Sequence, residues 1–102
     1  AMKQEMDRTS HPIVPLLRFS EVDEVVRRAN DSQFGLGGSV WSNDLAQARA
    51  IGARLEVGTV WINSVHLLDP QSPFAGRKQS GIGVENGIEG LLEFTTPQTM
   101  VG

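Results

Sequence analysis

No cysteine occurs anywhere in the 102 residues. That one absence excludes disulfide staples, thiolate metal sites and a cysteine nucleophile together. Long apolar runs are also missing: no stretch approaches the roughly 20 consecutive apolar residues that a membrane-spanning helix requires. The polar start Met2-Lys3-Gln4-Glu5 lacks the apolar core of a secretory signal, which sets the expectation of a soluble, cytoplasmic protein that does not contact a membrane. Charge of one sign is not gathered into runs. Nine basic and 12 acidic residues are scattered to a net charge of -3, so nucleic acid is not an expected partner. Only two histidines occur, His11 and His66, and neither has a second histidine or paired carboxylates at ligand spacing, so no metal site is expected.

What is present describes one small domain, with 39% hydrophobic and 21% charged residues. Residues 1–11 are polar and aperiodic and read as a disordered or cloning-derived arm; residues 12–102 read as the ordered part. The run Leu16 to Phe19, after Pro15, suits a short buried strand. Ser20, with Asp23 three residues on, suits a helix N-cap. Val22, Val25, Val26 and Ala29 then repeat at the spacing of one apolar helical stripe, with Glu21, Glu24, Arg27 and Arg28 on the wet side. Asn30-Asp31-Ser32 closes this helix. It matches the glycosylation pattern, but without an export signal it reads as a chance match.

A second strand is expected over Leu36 to Trp41, and Ser42-Asn43-Asp44 can cap a second helix. That helix carries Leu45, Ala48, Gly52 and Leu55 on one side, with Ile51 beside them. Thr59-Val60-Trp61-Ile62-Asn63 is rich in β-branched and aromatic residues and predicts a third strand. Strands separated by helices of this length imply βαβ units and a small parallel sheet. Ser64 to Ser80 reads as a long structured loop. A third helix is expected from Gly83 or Val84 to Phe94, turning Ile88, Leu91 and Leu92 inward, and Pro97 forbids its continuation. Gln98 to Gly102 is read as a short edge strand. The fold class is therefore α/β: a small parallel sheet of βαβαβ order with flanking helices, a long loop and a C-terminal helix.

Three stretches in this order carry a family resemblance: Ala29-Asn30-Asp31-Ser32-Gln33-Phe34-Gly35-Leu36, Gly58-Thr59-Val60-Trp61-Ile62-Asn63, and Pro73-Phe74-Ala75-Gly76-Arg77-Lys78-Gln79-Ser80-Gly81-Ile82-Gly83. With Glu85-Asn86-Gly87 and Glu93-Phe94-Thr95 behind them, residues 12–101 resemble the C-terminal part of the aldehyde dehydrogenase catalytic domain. The resemblance implies NAD- or NADP-dependent oxidation of an aldehyde to an acid through a cysteine thiohemiacetal and a thioester. It also implies that the cysteine, the general-base glutamate and the cofactor domain lie upstream of this region. A chain with no thiol is then expected to be inactive alone, with no catalytic or cofactor-binding residue and no cofactor of its own. Just before Pro12 the family usually reads Glu-x-Phe-Gly-Pro, whose glutamate and phenylalanine serve the cofactor. Here Arg8 and Ser10 stand in those places. By the same resemblance, Leu68 and Phe74 correspond to positions lining the aldehyde tunnel.

Competing sites read as structural. The spacing Gly81-Ile82-Gly83-Val84-Glu85-Asn86-Gly87 has one residue too many for a dinucleotide fingerprint, so tight turning and close helix packing account for its glycines better than a phosphate cradle. His66 with Asp69 and Ser64 or Ser72 reads as a solvated loop rather than a hydrolytic triad. Trp41 and Trp61 read as core residues. A sheet cut from its upstream strands would expose edge and face, so a homo-oligomer, or docking onto an intact aldehyde dehydrogenase, is expected. Two functions stay open: a truncated segment of the enzyme, and a free-standing binding or assembly module that reuses the fold.

Overall fold

The computed structural model describes residues 14–102; the expectations placed on residues 1–11, on Arg8 and Ser10, and on Pro12 lie outside the described residues. The chain divides into two compact units, Ala1–Ser32 and Gln33–Gly102.

In the first unit, residues 14–19 form no strand, and Leu16 is 95% exposed. A strand exists only through its ladder to a neighbour, and the apolar composition that suggested one supplies no partner. Helix α1 spans Val22–Asn30. Its N-cap is Glu21, with extended backbone and no side-chain cap bond, so Ser20 is not the cap. The ends of α1 are charged in the sense that complements the helix dipole, with Asp23 and Glu24 in the first turn and Arg27 and Arg28 in the last. Arg28 Nη1 donates to Glu24 Oε1 at 2.9 Å, an i, i+4 pair on one face. Of the expected stripe, Val26 is buried, Val22 and Val25 are half-buried and Ala29 is exposed.

The second unit is built on one βαβ turn. Strand β2 (Gly37–Val40) pairs parallel with β3 (Thr59–Ile62), from Gly37 opposite Thr59 to Val40 opposite Ile62. Helix α2 (Leu45–Gly52) connects them and packs on both. Here the expected cap is present: Asp44 Oδ1 accepts from the Gln47 amide at 3.0 Å. Ala48 is completely buried, and Gly52 lets the helix sit close to β3, since a Cβ there would meet Val60 Cγ1 at 2.8 Å. Leu45, expected on the packed side, is half exposed at 51%.

Beyond this unit the chain adds short antiparallel pairs that the expected loop did not foresee. Strand β1 (Phe34–Gly35) pairs with β5 (Arg77–Lys78), and β4 (Phe74–Ala75) with β6 (Val84–Glu85). The third helix, α3, runs only over Gly87–Leu92. It cannot start at Gly83 or Val84, because Gly83 and Asn86 have φ of 99° and 63°, which the interior of a right-handed helix does not accept. Ile88, Leu91 and Leu92 point outward at 73%, 66% and 58% exposure, contrary to the expected inward face. Trp41 follows β2 and is 64% exposed rather than core, whereas Trp61 is half-buried in β3. Gln98 to Gly102 forms no strand. Among the described residues Val26 and Ala48 are the buried hydrophobic side chains, a very small core for an α/β fold. None of the described helices is long and apolar enough to cross a membrane.

Candidate functional site

The segment after β3 is pinned at its start. Asn63 has φ of 50°, and its carboxamide closes both polar groups of Ser42: Oδ1 accepts from the Ser42 amide at 2.8 Å and Nδ2 donates to the Ser42 carbonyl at 2.9 Å. The side chain thereby continues the parallel ladder for one step, after the Asn63 amide has bonded Val40. A shallow depression of about 500 Å³ at Trp41, Ser42, Asn43 and Asn63 is the surface of this turn. Next, Trp61 Nε1 donates to the Leu67 carbonyl at 2.8 Å, and His66 (φ 56°) meets the Trp61 ring edge-on with centroids 5.8 Å apart. Asp69 is engaged locally, accepting from the Gln71 amide at 2.9 Å and from Ser72 Oγ at 3.3 Å. His66 and Asp69 are thus committed to different partners, and no hydrolytic triad is assembled from them.

The return of the segment is fastened by backbone crossing backbone. Gly58 donates to the carbonyls of Gly35 and Leu36 at 3.0 and 3.1 Å, and a Cβ on Gly58 would collide with the Ala75 carbonyl. Ser80 Oγ accepts from the Gly35 amide at 2.8 Å, the Gln79 amide reaches the Gln33 carbonyl at 2.9 Å, and Lys78 Nζ pairs with Glu56 at 2.7 Å. These ties explain why Gly58-Thr59-Val60-Trp61-Ile62-Asn63 and the stretch from Pro73 to Gly83 belong to one structure although 45 residues separate Gly35 from Ser80.

The fastened segment and α3 enclose an open cleft of about 710 Å³, whose walls include Phe74, Ile82 and Phe94 and whose polar lining includes Glu85, Asn86 and Glu93. Of the two residues expected to line a tunnel, Phe74 is half-buried on this wall. Leu68 is 58% exposed and does not line the cleft. Its polar members carry no role in the sequence reading; the signal for them is the stretch Glu85-Asn86-Gly87, which marks a place without revealing a chemistry.

In the glycine-rich turn the Gly87 amide donates to the Pro70 carbonyl at 2.9 Å, and the Gly90 amide makes a helical bond to the Asn86 carbonyl at 2.9 Å. Among the described residues no group of three His, Cys, Asp or Glu side chains could hold a metal ion. The arrangement can present an apolar wall with a carboxylate edge to a small molecule. It offers no thiol, since the sequence has no cysteine.

A family profile described as the aldehyde dehydrogenase family matches residues 6–100. A putative aldehyde dehydrogenase of Gibberella fujikuroi is 53% identical over 83 residues, covering 81% of this chain and 18% of the relative. Phenylacetaldehyde dehydrogenase of Pseudomonas fluorescens is 44% identical over 90 residues, covering 88% of this chain and 18% of the relative. Among solved structures, betaine aldehyde dehydrogenase from Staphylococcus aureus in complex with NAD+ superposes with a TM-score of 0.72 at 47% identity, covering 74% of this chain and 15% of that one. The NAD+ complex of an aldehyde dehydrogenase from Bacillus cereus gives 0.75 at 41% identity, over 78% and 16%. The chain therefore spans less than a fifth of the length of the relatives it matches.

Proposed function

The chain belongs to the aldehyde dehydrogenase family, and from that premise we propose that it supplies one wall of the aldehyde site of an NAD- or NADP-dependent aldehyde dehydrogenase, and that it does not catalyse the reaction by itself. The observation that carries this reading is Phe74, an aromatic ring held on a paired strand at the wall of the cleft. In the complete enzyme Phe74 excludes water from the aldehyde's apolar part and orients its carbonyl. The attacking thiolate and the cofactor-binding residues come from polypeptide outside these 102 residues, since the sequence has no sulfhydryl to offer. When bound, the dinucleotide accepts the hydride. This chain's share is confined to shape and polarity at the entry to the reacting centre.

Two measurements test the reading together. In the complete enzyme, Phe74→Ala should raise KM for an aromatic or long aliphatic aldehyde about tenfold while kcat stays within about threefold, because an apolar contact shared by ground and transition states is lost. The 102-residue polypeptide, given an aldehyde and NAD+, should produce no NADH. An unchanged KM would remove Phe74 from the site; NADH formation by the polypeptide would refute its inactivity.

A second reading, a self-associating assembly module, is favoured by one observation. Ile88, Leu91 and Phe94 lie together in and after α3 with exposures of 73%, 66% and 90%. Association as a homo-oligomer in the cytoplasm, or docking onto an intact aldehyde dehydrogenase, would cover them.

A further inference from the structure

Of the four asparagines in the chain, Asn30, Asn43, Asn63 and Asn86, only Asn86 precedes a glycine. The backbone nitrogen after an asparagine can attack the side-chain carboxamide, and a following glycine leaves that approach unhindered because it has no Cβ. The surroundings of the four separate them further. Asn63 has both polar ends of its carboxamide bonded to Ser42, which holds it in place. Asn30 also has a partner. Asn43 is followed by Asp44, whose side chain and charge obstruct the same approach. Asn86 sits at the start of α3 without making a side-chain cap bond, at φ 63° and ψ 170°, so its carboxamide is uncommitted where most N-cap residues spend theirs on the helix.

One contact opposes the reaction. The nucleophile would be the Gly87 nitrogen, and its hydrogen is donated to the Pro70 carbonyl at 2.9 Å. While that bond holds, the nitrogen is kept on the strand of chain that carries Pro70, and it must be released before it can turn to the carboxamide. The attack therefore follows local opening rather than the resting structure.

We propose that Asn86 is a self-modification site, converted to aspartate and isoaspartate through a succinimide, and that the Gly87–Pro70 hydrogen bond gates the conversion. The Gly87 nitrogen bonds to Asn86 Cγ, the Cγ–Nδ2 bond breaks, and the proton lost from Gly87 leaves with Nδ2 as ammonia. Water then adds to either imide carbonyl, which yields aspartate by one opening and isoaspartate by the other. No oxidant or reductant takes part. The product places a new carboxylate beside Glu85 and Glu93 on the cleft lining, and isoaspartate also lengthens the backbone between β6 and α3 by one carbon.

The test is peptide mapping of the 102-residue chain aged at mildly alkaline pH, folded and in urea, with the one-dalton mass gain assigned to a site by fragmentation. Asn86 should convert ahead of Asn30, Asn43 and Asn63, and at least tenfold faster in urea than in the folded chain. Asn86→Gln should abolish the dominant gain without raising the others. Because Gly87 holds a φ of 64°, Gly87→Ala is compared with wild type in urea alone, where folding plays no part, and should slow conversion there severalfold. Conversion led by another asparagine would overturn the site. Equal rates in folded and unfolded chains would overturn the gate.

Discussion

At the scale of single residues, the second unit is held by places where a side chain would not fit. Gly52 is buried on α2 against Val60 and Ile62 of β3, and an added methyl would meet Val60 Cγ1 at 2.8 Å. Two effects compete in Gly52→Ala. Alanine gains about 0.5–1 kcal/mol of helix propensity, whereas overpacking costs about 1–3 kcal/mol. Val60 is β-branched and lies in a paired strand, so it yields little. The variant should be less stable by about 1 kcal/mol, read from the urea midpoint, and a stabilised variant would show that the helix can ride outward freely. None of this is visible in the sequence, where Gly52 reads only as one small member of an apolar stripe. The same holds for Asn63, whose type and position as a strand end are legible but whose clasp on Ser42 depends on a residue 21 positions away.

At the scale of elements, local chemistry was decisive where it could complete itself locally. Asp44 finds the Gln47 amide three residues on, so the start of α2 is set by neighbours alone. Ser20 matches the same rule on paper, but the N-cap of α1 lies one residue later, at Glu21, and the helix begins at Val22. Asp44→Ala should therefore lower the stability of the second unit by about 1 kcal/mol. Ser20→Ala should leave it unchanged within the error of a thermal melt. A comparable loss from Ser20→Ala would place a cap there after all. The late start of α3 has a different cause: Val84–Glu85 is taken into a pair with β4, and the left-handed backbone at Asn86 and Gly87 then turns the chain into the helix. A pairing partner eleven residues upstream of Glu85, at Phe74, overrides the helical spacing of Val84, Ile88 and Leu91.

At the scale of the molecule, the parallel pair β2–β3 is a sheet of two strands, and parallel strands are ordinarily covered on both faces. Elsewhere in the same unit large apolar side chains also stay exposed, Ile82 fully and Phe94 at 90%. Light scattering on the purified chain should show concentration-dependent association, and Leu91→Glu with Phe94→Glu should shift it toward monomer; a monomer throughout the concentration series would count against the assembly reading. The sequence by itself determined the family, the βαβ order from β2 through α2 to β3, a helix cap within Ser42-Asn43-Asp44 and the lack of a thiol nucleophile, because each rests on residue identity or on neighbours within a few positions. Only the tertiary structure decided that residues 14–19 are not a strand, that β4 and β5 form within the expected long structured loop and β6 where the third helix was expected to start, and that Phe74 rather than Leu68 reaches the cleft. Those outcomes hinge on hydrogen-bond partners and close approaches between segments far apart in the chain, and no periodicity within a segment encodes which distant segment it will meet.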